Sequence, residues 1–137
     1  MTIKEIKQKY MEFLKDEGLT PIIDNEGDII FELENRKYLI DIDEKDLYYI
    51  RMVCHGGLKG MDENDMLKLF KAASETNSEI KMVKVIIINT ESAVFSIESL
   101  LNDINDFKVF FNRWLMQVRD AFSIFHKYLD KEFKETK

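Results

Sequence analysis

A single cysteine, Cys54, leaves this chain without an internal disulfide. It has to fold by packing alone, and it suits a reducing compartment. One proline and five glycines form no linker, repeat or low-complexity segment. No apolar run approaches the roughly 18 residues of a membrane span. The first residues, Met1-Thr2-Ile3-Lys4-Glu5-Ile6-Lys7, carry charges where a signal peptide needs an apolar stretch. The expected location is therefore cytoplasmic, with no membrane partner. An excess of basic residues is missing too: 20 Lys and Arg stand against 26 Asp and Glu, for a net charge of −6. Such a field repels phosphate backbones and argues against nucleic acid as a partner.

What remains is ordinary globular material. The 137 residues are 45% hydrophobic and 34% charged, which suits one α+β domain spanning 1–137. Ile3, Ile6, Tyr10, Phe13 and Leu14 recur at helical spacing, so residues 3–17 read as an amphipathic helix ended by Gly18 and Pro21. Short strands follow. Asp24-Asn25-Glu26-Gly27-Asp28 is a turn between Ile22-Ile23 and Ile29-Ile30-Phe31, and Glu34-Asn35-Arg36 is the next. Residues 37–43 alternate cleanly, and 47–53 read as a fourth strand. His55-Gly56-Gly57 breaks that strand pattern. Asp62 and Asp65 form a weak capping box for a helix to about Asn77, with Met66, Leu69, Phe70 and Ala73 as its buried stripe. Lys81 to Asn89 is β-branched and apolar, the signature of a central strand, and Val94 to Ser99 alternates again. The final stretch, about Asp103 to Phe133, is one long helix. Its stripe is Phe107, Phe111, Trp114, Val118, Ala121 and Phe125, widened by Phe110, Leu115, Phe122 and Leu129. The order is α-β-β-β-β-α-β-β-α, an antiparallel sheet with helices.

That order, with the leading helix closed by Gly18, Gly27-Asp28-Ile29-Ile30-Phe31-Glu32, Lys37-Tyr38-Leu39-Ile40, Asn77 before Val83-Lys84-Val85, and Val94, Ser96 and Glu98 before the long helix, resembles the YbjN-like family. That family is named for bacterial sensory-transduction regulation, and its fold is similar to that of type III secretion chaperones. The resemblance covers most of the chain and rests on element order and apolar alternation. It implies a protein that binds proteins and is not an enzyme; separately, the sequence leads us to expect no cofactor. The secretion chaperones are usually dimers, so the implied partner is another protein or a second copy of this chain, as in a homodimer.

No catalytic constellation can be assembled. Cys54 and His55 are strand neighbours and face opposite ways, so they make no thiol–imidazole pair. Two histidines and one cysteine are a poor supply of metal ligands. The Asp24–Asp28 turn lacks the spacing of a calcium loop. Asp41 and Asp43 share a strand face and read as solvated.

The sheet's second face is the feature above background. Alternation assigns Ile29, Phe31, Leu33, Tyr38, Ile40, Ile42, Tyr48, Ile50, Val83, Val85, Ile87, Phe95 and Ile97 to a helix-covered core. The opposite face then carries Ile30, Leu39, Tyr49, Ile86, Ile88 and Val94, more apolar than a solvated face requires. These six are the expected partner-binding residues, unless the middle helix covers them. The alternative function is small-molecule binding in a pocket between the sheet and the last helix, with Tyr38, Tyr48, Trp114 and Asp41 the residues to inspect.

Overall fold

The computed structural model describes residues 1–135. Thr2 opens helix α1 (Ile3–Asp16) by accepting the Glu5 N–H, and Tyr10, Phe13 and Leu14 are its buried stripe. Gly18 closes it at φ +87°. The Gly18 N–H donates to Lys15 O at 2.9 Å and the Leu19 N–H to Leu14 O at 3.0 Å, the paired bonds that satisfy a helix's last carbonyls.

Strands β1 (Ile22–Ile23), β2 (Ile29–Leu33), β3 (Arg36–Ile42) and β4 (Tyr49–Gly57) follow. Glu34 and Asn35, at φ 54° and 64°, make the two-residue turn whose twist suits a hairpin. The Asp24 carboxylate accepts the backbone N–H groups of Glu26 at 3.0 Å and Asp28 at 2.9 Å. That acidic loop is therefore organised around its own backbone.

The capping box is present: Asp62 accepts the Asn64 N–H, and Asp65 accepts the Asp62 N–H at 2.9 Å. It starts a short 3-10 turn (Glu63–Asp65) that runs into α2 (Met66–Glu79). Then come β5 (Val83–Asn89), β6 (Ser92–Leu100) and α3 (Ile104–Glu135), which is continuous over 32 residues. The element order is the expected one. The six strands lie in the order β1-β2-β3-β4-β6-β5, and the β1–β2, β2–β3, β3–β4 and β5–β6 pairs are antiparallel. Among the described residues, no helix is long and apolar enough to cross a membrane.

The chain clusters into two compact units. The first holds residues 1–54 and 98–112. Its core is aromatic: Phe107 lies 4.8 Å from Tyr10 and 5.3 Å from Phe111, while Phe31 stacks on Tyr38 at 5.0 Å. The second holds residues 55–97 and the chain from Arg113 on. There Phe95 stacks on Phe122 at 3.8 Å and meets Phe125 edge-on at 5.8 Å.

Four local readings change. The His55-Gly56-Gly57 stretch does not interrupt β4, which runs through Gly57. A Cβ on Gly56 would sit 2.8 Å from Phe122 Cε1 and 3.0 Å from Phe95 Cε2. Glycine is here because aromatic rings press on the strand. Second, β5 is an edge strand, for all its apolar composition. Third, α2 buries Leu69, Ala72, Ala73 and Thr76, whereas Phe70 is 51% exposed. Fourth, Phe110, counted in the α3 stripe, is 43% exposed, and Tyr48, assigned to the core, is 60% exposed in the turn before β4.

Candidate functional site

The six expected partner residues divide between the two units, three in each. In the first unit, Ile30 is buried at 6%. It pairs laterally with Ile22 of β1 and with Leu39 of β3, and it lines a hollow together with Leu19 and Thr20 from the chain after α1. Buried to that degree, Ile30 is not part of an open surface. Leu39 is half-buried, between Ile30 and Val53 in register. Tyr49 is committed elsewhere: its hydroxyl donates to the Glu98 carboxylate. That bond, ahead of burial, pushes the phenol's pKa upward. Beside it, Arg51 meets Asp41 at 3.2 Å, and the two are register partners. This part of the second face thus carries polar pairs, Tyr49 with Glu98 and Arg51 with Asp41, although Arg51 Nε is buried without a hydrogen-bond partner among the described residues. Asp43, expected to share Asp41's face, lies beyond the end of β3 and accepts the Lys45 N–H at 2.8 Å in a turn.

In the second unit the outcome differs. Ile86 is 42% and Ile88 56% exposed. Val94, the register partner of Ile86, is half-buried beside it. The middle helix does not cover this row. It turns instead toward α3: Lys71 pairs with Glu132 at 3.3 Å, Lys68 lies over the Phe133 ring at 4.4 Å, and the Tyr128 hydroxyl donates to Glu79 at 2.8 Å. Helix α2 reaches β5 from the side. The Asn77 amide accepts the Val85 N–H at 2.7 Å and donates to Val85 O at 3.0 Å. One side chain thus takes the place of a neighbouring strand at the open edge. Along this junction runs a shallow groove of about 560 Å³, lined by Phe70, Ser74 and Asn77 from α2 and by Lys84 and Ile86 from β5. Phe70 was read from the sequence as core. Its exposure adds an aromatic ring to the Ile86 row, and helical spacing alone gave no signal of that.

The residues named for a small-molecule pocket have different settings. Tyr38 is 1% exposed and Trp114 3% exposed, both as core. Asp41, on the opposite face of β3 from Tyr38, is ion-paired to Arg51. Tyr48 lines a cavity in the first unit. Cys54 is fully buried, and burial pushes its thiol up to about 11. At neutral pH it is a small hydrophobe and holds no thiolate. His55, next to it, is exposed. Among the described residues, no three His, Cys, Asp or Glu side chains are grouped as a metal site would need.

No family model matches the chain, and no curated protein matches it in sequence. In three dimensions it is similar to the crystal structure of YbjN, a suggested transcription regulator from E. coli. The identity is 13% and the TM-score 0.63, over 93% of this chain and 92% of that one. The likeness is one of fold, and it agrees with the α+β order read from the sequence.

Proposed function

We propose that this chain is a non-enzymatic protein-binding module. Its contact surface is the outer face of β5 with its β6 neighbour, together with the exposed face of α2: Ile86, Ile88, Val94 and Phe70. The observation that carries the reading is the exposure of Ile86 and Ile88, at 42% and 56%, beside an exposed Phe70 and a groove. β-Branched residues in an edge strand with an open outer face are a liability unless a partner covers them. The partner is another protein or a second copy of the chain. The YbjN-like fold agrees with a regulatory or binding role.

Ile86→Asp puts a charge on the surface without touching the aromatic core. Light scattering after size exclusion, with a pull-down from cell lysate, should find the variant folded and stripped of the associations of the wild type. A variant that unfolds would make this row core. A variant with unchanged association would remove the row from the interface.

A further inference from the structure

A cavity of about 280 Å³ opens beside the start of α3 in the first unit. Its walls are apolar: Ile6 from α1, Leu47 and Ile50 around the start of β4, and Leu101 and Ile104 at the entry to α3. Leu47 is 40% and Tyr48 60% exposed, an unusual amount of uncovered apolar surface for a turn. Two polar groups border it, Tyr10 from within and Asp103 from an exposed position. Asp103 lines the cavity, with its carboxylate oriented by the Asn105 N–H at 2.8 Å. Tyr10 lines it as well, 2% exposed, with its ring fixed against Phe107 at 4.8 Å. The Tyr10 hydroxyl has no hydrogen-bond partner among the described residues. That hydroxyl is not sealed off: it opens on the cavity, where a bound group can take the place of water.

We propose that this cavity binds a compact neutral amphiphile with a hydroxyl head. The head accepts a hydrogen bond from Tyr10 and donates one to Asp103, and the apolar body lies among Ile6, Leu47, Ile50 and Ile104. Size sets the body. A dry cavity of about 150 Å³ takes one benzene, so this one has room for about eight to ten carbons. Charge sets the head. Burial, with Asp103 and Asp106 nearby, holds the Tyr10 phenol protonated far above its ordinary range. It is therefore a donor, and the same two carboxylates repel an anionic head. Lys9 also lines the cavity, from an exposed position on α1. The site is independent of the β5 surface.

The test is a titration of the nitrogen-15-labelled protein with octan-1-ol and with octanoate, which share a tail and differ in the head. Octan-1-ol should shift the amides of Tyr10 and of residues 101–104, and octanoate should bind at least about tenfold more weakly. Tyr10→Phe keeps the ring packing and should weaken octan-1-ol about fivefold, the loss of one hydrogen bond. Ile6→Trp fills the cavity and should abolish binding, and it carries the test if Tyr10→Phe fails to fold. Absence of localised shifts, equal affinity for octanoate, or undiminished octan-1-ol binding in these variants would overturn the assignment.

Discussion

Ile30 and Ile86 occupy equivalent places in the sequence pattern and unlike places in the molecule. Each is a β-branched residue in an apolar strand, assigned by alternation to the sheet's second face. Ile30 is 6% exposed and Ile86 42% exposed. Ile30 belongs to β2, which has neighbours on both sides, and Ile22 of β1 sits in its row. Ile86 belongs to β5, the last strand in the order, whose other side meets α2 instead of a strand, with the Asn77 amide bonded to Val85. Period-2 alternation tells which way a side chain points; sheet order decides what it meets there.

The largest expected effect separates these two residues directly. Ile30→Asp buries a charge and should cost about 3–5 kcal/mol in urea unfolding. Ile86→Asp should cost about 1 kcal/mol or less. Equal losses would erase the distinction between a covered and an open row. Next is Gly56→Ala, whose methyl would stand 2.8 Å from Phe122 Cε1. Overpacking of this kind should cost about 1–3 kcal/mol by the same measurement. Asn77→Ala comes third. It leaves the Val85 N–H and C=O without their amide partner and should cost about 1 kcal/mol. It should also speed hydrogen exchange at Val85 and leave the rest of β5 unchanged. The smallest effect concerns Asp28. Burial, with Asp41, Asp24 and Glu26 nearby, raises its pKa above 3.8. The folded state therefore holds this proton more tightly than the unfolded chain does. That contribution is complete below the unfolded value and is lost as pH rises through the folded one. Asp28→Asn should accordingly stabilise the protein slightly at neutral pH, and the gain should vanish below about pH 3.9.

Much of the fold was legible because it rests on local rules. The Gly18 stop, the Asp62–Asp65 cap and the Phe107-to-Phe125 stripe are each contained within a few turns of chain, and each is present. The errors come from contacts the sequence does not localise. Gly56 reads as a strand breaker until Phe95 and Phe122 are known to lie against it. The run from Lys81 to Asn89 reads as central because it is β-branched and apolar; Val83 and Val85 are indeed buried, while nothing in composition marks its edge position. Phe70 falls on the apolar side of α2 by spacing, yet Leu69, Ala72, Ala73 and Thr76 are the buried set. Tyr49 looked apolar, and its role depends on Glu98, 49 residues away. The cavity beside α3 was half visible: Tyr48 was singled out, but Tyr10 counted only as a member of a helical stripe.

The surface around Ile86 is tested most directly by placing a photo-crosslinking amino acid, p-benzoylphenylalanine, at position 86 in one sample and at position 4, an exposed lysine of α1, in another. The cells are then irradiated. A protein-binding module acting through β5 gives a discrete covalent adduct, with itself or with another protein, from position 86 and none from position 4. No adduct at 86, or the same adducts from both positions, would contradict that account.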